Sequence, residues 1–137
     1  MSNVFVGAGR KVRLRLPSGW EAATRPSTTA LFASSGGRGA VNVSVLRARA
    51  GVPVDVKEIL AHLPGVPQPL DARAPRTLSG GETVWGVEYQ DGTRAWRAWG
   101  VQRGRTVALL TYNCGLPDKG AEDAAVDQIV DSVQIDE

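Results

Sequence analysis

The 137-residue sequence contains one cysteine and one histidine, and both scarcities exclude classes of function. A lone Cys114 cannot form an internal disulfide or a multi-cysteine metal cluster. A Ser-His-Asp triad or a multi-histidine metal site would have to be built around His62. We interpret Cys114 as a small buried hydrophobe and His62 as a partly exposed residue near a helix C-terminus. The sequence therefore favours a non-enzymatic protein without a cofactor.

Long hydrophobic runs are also missing. No stretch approaches the roughly eighteen apolar residues that a membrane span requires. Residues 1–7 lack the basic region and apolar run of a secretory signal. Apolar residues make up 42% of the chain and charged residues 22%, as in ordinary globular domains. We therefore predict one water-soluble domain over residues 1–137, with the cytoplasm as the default location.

Charge is unevenly distributed along the chain. Residues 1–50 carry eight Arg and Lys against Glu21 alone, whereas residues 118–137 carry seven Asp and Glu against Lys119 alone. These segments should attract each other, either within one molecule or, as the alternative, across a head-to-tail or partner-binding surface. Thirteen of the sixteen cations are Arg, but Trp85 and Trp96 are assigned to the core rather than to an exposed stacking surface. We therefore do not expect a nucleic-acid partner.

The first half of the sequence predicts three strands and a helix. Residues 11–16 alternate between cationic and apolar side chains, which indicates a half-buried strand, and Trp20 follows as a core anchor. Further strands are predicted at residues 28–34 and 40–46. Asp55 can cap a helix that a Pro-Gly pair ends. The apolar face of this helix comprises Val56, Ile59, Leu60 and Leu63.

Two dipeptides in the second half, Asp91-Gly92 and Arg103-Gly104, predict two-residue hairpin turns between apolar strands. The register follows by pairing residues outward from each turn. The resulting pairs are Val87 with Trp96, Trp85 with Ala98, Trp99 with Ala108 and Ala98 with Leu109. One face then holds Trp85, Val87, Tyr89, Trp96, Ala98, Val107 and Leu109. The other holds Val84, Trp99, Val101, Ala108, Leu110 and Tyr112, with Glu88 and Arg97.

Both faces of this sheet are too apolar to be left in water. The helix after Asp55 can cover one face, and a second helix predicted at residues 121–133 can cover the other. The apolar stripe of the second helix comprises Val126, Ile129, Val130 and Val133. The acids Glu122, Asp123, Asp127 and Asp131 point away from it. The predicted fold is α+β, an antiparallel sheet of about six strands with a helix on each face, in the order β-β-β-α-β-β-β-α.

The sequence resembles the PsbP-like fold group. The resemblance rests on the opening VRLRLPSGW at residues 12–20, the meander end VALLTY at 107–112 and the closing IVDSVQI at 129–135. The group includes a Ran-binding protein, the photosystem oxygen-evolving subunit, DcrB-type and LpqN-type lipoproteins and Eag-type chaperones of type VI secretion. The resemblance implies binding rather than catalysis, and it transfers no site residue. The missing lipobox cysteine favours the cytoplasmic branches.

The expected function is therefore a protein-binding module, in particular a chaperone or adaptor of a bacterial secretion system that binds a protein client or dimerises. The alternative is a small-molecule-binding domain or small enzyme that uses the Trp99/Tyr112 face. Two short helices should leave part of the sheet uncovered, and we place this open surface on that face. The candidate partner-binding residues are Trp99, Val101, Leu110, Tyr112, Arg97 and Glu88.

The predicted packing of the closing helix can be tested by one substitution. Ile129→Ala should lower the free energy of unfolding by about 2–4 kcal/mol, because the lost methylene groups leave a cavity. The denaturation midpoint measures this change. A loss within experimental error would show that the helix does not pack against the sheet.

Overall fold

The computed structural model of the chain describes residues 2–6, 11–23, 29–34, 37–67 and 74–136. These residues form ten strands and two α-helices. The strands are β1 (Ser2–Val6), β2 (Val12–Leu16), β3 (Trp20–Ala23), β4 (Thr29–Ser34), β5 (Gly39–Arg47), β6 (Arg76–Thr77), β7 (Thr83–Gln90), β8 (Arg94–Arg103), β9 (Thr106–Gly115) and β10 (Gln134–Ile135). The helices are α1 (Val56–Ala61) and α2 (Asp123–Asp131).

The strands form two antiparallel sheets rather than the single sheet predicted. The larger has seven strands in the order β3-β4-β5-β9-β8-β7-β6, and the smaller has the order β1-β2-β10. The α+β class and the antiparallel pairing are confirmed. The prediction that β2 joins the main sheet is wrong, because β2 pairs instead with β1 and with β10 from the far end of the chain. Alternation in a sequence indicates which face of a strand is buried, but it does not identify the neighbouring strand.

The local predictions for the first half are largely confirmed. Val12, Leu14 and Leu16 are buried, whereas Arg13 and Arg15 are exposed. The predicted second and third strands correspond to β4 and β5, although Thr28 lies outside the described residues. These strands therefore form where alternating or β-branched side chains were found.

Helix α1 begins as the capping pattern predicts. The Asp55 carboxylate accepts a hydrogen bond from the Glu58 backbone N–H at 3.2 Å. Val56 and Leu60 are buried, and Ile59 and Leu63 are partly buried against the same cluster. The helix has six residues, so it is only about 9 Å long.

The register of both hairpins differs from the prediction by two positions. Val87 pairs with Ala98 rather than with Trp96, and Trp99 pairs with Leu110 rather than with Ala108. Likewise, the observed partners are Gly100 for Trp85 and Thr111 for Ala98. A shift of two leaves every side chain on its predicted face.

Asp91 explains the shift in the first hairpin. Its Oδ1 accepts hydrogen bonds from the backbone N–H groups of Thr93 at 2.9 Å and Arg94 at 2.8 Å. Asp91 is thus the first residue of the turn rather than a central one, a position that Asp favours because its side chain can bond the following backbone. The same bonds, with that from Trp96 Nε1 to Oδ2, lower the pKa of Asp91 to about 2.

The two faces of the large sheet belong to separate core clusters. One cluster joins it to α2 and the small sheet, and includes Trp20, Trp99, Leu14, Val126, Ile129, Val130 and Val133. The other joins it to α1, and includes Val56, Leu60, Val87, Ala98 and Val107, with partly buried Trp85 and Tyr89. The Trp96 ring stacks on Tyr89 at a centroid distance of 6.1 Å. Trp85 and Trp96 therefore share a face and Trp99 lies on the opposite one, as predicted.

Gly100 allows α1 to approach the sheet closely. A β-carbon added at this position would overlap Val56 Cγ1 of the helix and would also contact Val107. Val56 is buried against the strand at the position where a side chain would otherwise stand. The docking of α1 therefore depends on a missing side chain as well as on apolar contacts.

Gly100→Ala tests this contact. We expect it to lower the free energy of unfolding by about 1–3 kcal/mol, because the new methyl group displaces Val56 and α1. Chemical denaturation followed by circular dichroism measures the loss. Gly92→Ala is the matched control, since no heavy atom lies within 4 Å of its added β-carbon. Equal losses in the two variants would contradict the proposed docking.

Candidate functional site

The predicted partner-binding residues lie together, but most of them are inside the protein. Trp99 and Tyr112 are 6% and 3% exposed, and Val101 and Leu110 are fully buried. All four belong to the cluster that contains the buried stripe of α2. The expectation that this sheet face is left open is therefore wrong. Helix α2 and the small sheet cover most of it, so these four side chains do not form an open docking surface for a protein.

Arg97 and Glu88 show how α2 is held on this face. Arg97 is only 15% exposed, lies 4.7 Å above the Trp99 ring, and its Nε is 3.3 Å from Glu88 Oε1. Its Nη atoms contact Asp123 at 3.3 Å and Asp127 at 2.7 Å. These two acids were predicted to lie away from the apolar stripe of α2, and in the structure they bind Arg97 of β8. An arginine fork can engage carboxylates on several sides at once, so the acidic side of α2 serves as an internal partner for Arg97.

Glu122 fixes the start of α2 in a similar way. Its Oε1 accepts hydrogen bonds from the Tyr112 hydroxyl at 2.8 Å and from the backbone N–H groups of Gly39 at 2.9 Å and Arg38 at 3.1 Å. Arg38 also forms an ion pair with Asp118 at 2.8 Å. These contacts support the prediction that the basic and acidic segments attract each other within one molecule. Burial, and then Glu122, raise the pKa of Tyr112.

A cavity of about 500 Å³ lies between this sheet face and the segment before α2. We call it the Arg97 cavity. Three of the six predicted residues line it, namely Glu88, Arg97 and Tyr112, together with Cys114 and Lys119. Cys114 is 1% exposed, which confirms the prediction that it is buried. The alternative of a small-molecule site therefore has a concave surface, although Trp99 does not line it.

A second cavity, of about 540 Å³, opens beside α1 on the opposite face of the sheet. We call it the α1 groove. Its lining comes from the end of β5, the β8–β9 turn, the loop before α1 and α1 itself. The lining residues are Leu46, Arg47, Ala48, Pro53, Val54, Asp55, Glu58, Ile59, His62, Arg105 and Val107.

The α1 groove exists because α1 is too short to cover its face. Leu46 at the end of β5 is 41% exposed, and Val52 in the following loop is 51% exposed. These are the large hydrophobic side chains that stand in solvent among the residues that the structure describes. The sequence-based inference that cover is scarce was correct, but the open surface lies on the α1 face. The sequence did not indicate that Leu46 is exposed, because this residue directly continues the apolar strand that precedes it.

The two sides of the α1 groove differ in charge. Arg105 stands on the strand side, where its Nη1 donates to the Ala48 carbonyl at 3.4 Å. Arg47 also borders the groove, but its Nη1 donates to Thr106 Oγ1 at 3.0 Å, and strand alternation places both of these side chains on the opposite face of the sheet. Asp55 and Glu58 stand on the helix side. The groove thus combines an apolar floor with a cationic wall and an anionic wall.

His62 ends the helix side of the groove and is exposed, as predicted. Its Nδ1 lies 2.7 Å from the Glu58 carbonyl oxygen, so Nδ1 carries the hydrogen in this contact.

Within the described ranges, no group of three or more His, Cys, Asp or Glu side chains is arranged to hold a metal ion. No helix in that part of the chain is long and apolar enough to cross a membrane.

Neither a family model nor a curated protein matches the chain, but solved structures share its fold. A protein from Bacteroides thetaiotaomicron has a TM-score of 0.68 at 14% identity and covers 97% of this chain. This chain spans 48%, about half, of that protein. Cyanobacterial PsbP (CyanoP) from Synechocystis sp. PCC 6803 has a TM-score of 0.62 at 11% identity, over 96% of this chain and 90% of its own.

LpqN from Mycobacterium tuberculosis, a protein involved in cell envelope biogenesis, also has a TM-score of 0.62. Its identity is 16%, over 99% of this chain and 90% of its own. The chain therefore has the PsbP-like fold that the sequence resemblance indicated. Identities of this size show the fold alone.

The Tyr112–Glu122 contact makes a prediction about alkaline pH. The pKa of Tyr112 is raised above its ordinary value of about 10, so the folded state favours the protonated phenol. The protonated phenol therefore adds to the free energy of unfolding below about pH 10. This contribution is lost as the pH rises further. Tyr112→Phe should lower stability by about 0.5–1.5 kcal/mol near pH 8, since Glu122 keeps its two backbone donors. The variant should also lose less stability than the wild type up to about pH 11.

Urea unfolding across this pH range measures both effects. Tyr89→Phe is the control, because Tyr89 is half-buried and its hydroxyl bonds a neutral carbonyl, that of Pro64. Tyr89→Phe should reduce the loss of unfolding free energy at alkaline pH less than Tyr112→Phe does. Parallel profiles for the wild type and Tyr112→Phe would refute the role of this phenol.

Proposed function

We propose that the chain is a non-enzymatic protein-binding module and that the α1 groove is its binding surface. The observation that carries this proposal is the exposure of Leu46 in the lining of a cavity with an apolar floor. Exposed apolar side chains that are scattered singly have no special meaning, but a contiguous apolar surface with a polar rim is typical of an interaction site. Here Val54, Ile59 and Val107 line the same cavity as the exposed Leu46 and extend its apolar surface.

The charged residues at the groove support protein binding in a second way. An interface commonly has an apolar centre and a polar rim, and the rim charges set the orientation and rate of association. Arg105 on one wall and Asp55 and Glu58 on the other supply such a rim. An apolar segment that lies on Leu46 and Ile59 would bring its own polar groups within reach of both walls.

The shared fold supports a binding or adaptor role more loosely, through LpqN and its involvement in cell envelope biogenesis. A finer form of the proposal is a chaperone or adaptor of a bacterial secretion system, which shelters an apolar client segment in the cytoplasm. Only the resemblance to the Eag-type chaperones supports that form. The groove would then hold the client segment until it is released.

Site-specific photocrosslinking tests the groove. A benzophenone amino acid at position 46 should give a defined covalent adduct with one partner protein in the native host. The same amino acid at the exposed Lys119, which lines the Arg97 cavity instead, should not give that adduct. Equal crosslinking from both positions would argue against the groove.

Binding of the purified partner then gives a quantitative test. Leu46→Asp should weaken it by at least about tenfold, since the substitution places a charge in the apolar contact. Thr77→Asp, at an exposed position of β6, is the matched control and should bind as the wild type does. Unchanged affinity in Leu46→Asp would contradict the proposal.

A second candidate function is small-molecule binding in the Arg97 cavity. Its volume of about 500 Å³ lies within the range of ordinary ligand sites, and it holds both a cation and a carboxylate of the predicted set. A metabolite screen by melting temperature addresses it. A true ligand should lose its stabilising effect in Lys119→Ala and retain it in Leu46→Asp. The opposite pattern would exclude this cavity.

A further inference from the structure

The helix wall of the α1 groove carries two carboxylates that no cation in the described part of the chain neutralises. Asp55 and Glu58 both line the groove, and neither takes part in an ion pair with another described residue. Asp55 caps α1 through Oδ1, which lies 3.2 Å from the Glu58 backbone nitrogen. This cap leaves its second carboxylate oxygen available to a partner. The helix wall is therefore anionic.

The acids of α2 and of the segment before it, in contrast, are neutralised within the molecule. Their ion pairs join Asp118 to Arg38, Asp123 and Asp127 to Arg97, and Asp131 to Arg76 at 2.6 Å. The chain has sixteen Arg and Lys against fourteen Asp and Glu, so cations are not scarce. The open charge at α1 therefore reflects where the cations are placed.

The cations beside the groove offset this charge only in part. Arg105 is held on the strand side, where its Nη1 donates to the Ala48 carbonyl at 3.4 Å. Arg47 borders the groove, but its guanidinium bonds Thr106 on the opposite face of the sheet. Two carboxylates at the groove thus stand against one available guanidinium.

The cost of desolvating the helix wall restricts what can bind there. A partner that packs on Leu46 and Ile59 removes water from the neighbouring carboxylates of Asp55 and Glu58. A desolvated carboxylate is costly unless a cation or a hydrogen-bond donor replaces the water. A purely apolar or an acidic segment leaves that cost uncompensated. A segment with a basic residue beside its apolar anchor offsets it.

We propose that the occupant of the α1 groove is an apolar segment of another protein that carries an arginine or lysine beside its apolar anchor. This inference rests on the proposed function, and it adds the chemistry of the partner. The anchor packs on Leu46 and Ile59, and the basic side chain reaches Asp55 and Glu58. Arginine fits this wall best, because its planar guanidinium can engage two carboxylates at once.

Selection from a displayed library of short random peptides tests this chemistry. The wild type should enrich peptides that combine apolar residues with arginine or lysine. Glu58→Lys should change the enriched charge from basic to acidic, because it leaves one carboxylate at the groove against two cations. Glu21→Lys is the matched control: it makes the same substitution at an exposed position of β3, outside the groove, and should keep the basic preference. Circular dichroism of each variant confirms that it is folded.

Fluorescence anisotropy with one enriched peptide, made synthetically, measures the size of the effect. Glu58→Lys should weaken its binding at least about tenfold, because like charges then meet across the contact. Glu58→Gln keeps the size of the side chain and removes its charge, so it should weaken binding at least about threefold, and it carries the test if Glu58→Lys does not fold. Exchange of the peptide's basic residue for glutamate should restore binding to Glu58→Lys. Added salt should weaken the wild-type complex.

Peptides whose binding depends on Leu46 but that show no basic preference, or an acidic one, would overturn this inference and leave the groove as a protein-binding surface. Self-association of the wild type that Leu46→Asp abolishes would also overturn it, because a second copy of the chain would then occupy the groove. So would a selection that enriches no peptide, or only peptides that bind Leu46→Asp as well as the wild type. The proposed function fails separately, if Leu46→Asp leaves binding of the crosslinked partner unchanged.

Discussion

Strands β7, β8 and β9 carry apolar side chains on both faces of the large sheet, and each face needs a cover of its own. Along β8, Trp99 and Val101 enter one core cluster, whereas Ala98 enters the other. The covers are unequal. Helix α2 and the three-stranded sheet close the first face, and the six-residue α1 covers only part of the second. This inequality determines where the protein presents apolar surface to solvent.

The polar groups on the closed face have a structural role that follows from the same constraint. Arg97 is largely buried, and a buried cation requires a carboxylate partner. Asp123 and Asp127 provide such partners from α2, and Glu122 binds Tyr112 beside them. The apolar stripe on one side of α2 and the acids on the other thus hold the helix in one orientation. The residues that most resemble an interface in the sequence are held together by the chain's own closing helix.

The features of the fold that the sequence predicted depend on local chemistry. Strand alternation identified the buried face of β2, and the Asp55 cap identified the start of α1. Trp96 and Trp99 are an odd number of positions apart on one strand, which placed them on opposite faces of the sheet. The predictions that were wrong depend either on contacts between distant parts of the chain or on the hydrogen bonds of one side chain. Pairing of β10 with β2 joins distant parts of the chain, and no local pattern encodes it. The hairpin register was wrong because Asp91 binds the backbone after it and so begins the turn.

The candidate site was harder to predict than the fold, since it depends on which of two apolar faces is covered less completely. Periodicity showed that both faces are apolar, but the actual length of α1 and its close docking on Gly100 appear only in the structure. Amide hydrogen exchange of the protein with and without its crosslinked partner tests this account most directly. The account predicts that the protection added by the partner is confined to residues 46–63 and 105–107, which border the α1 groove. Added protection confined to α2 and the segment before it would contradict it.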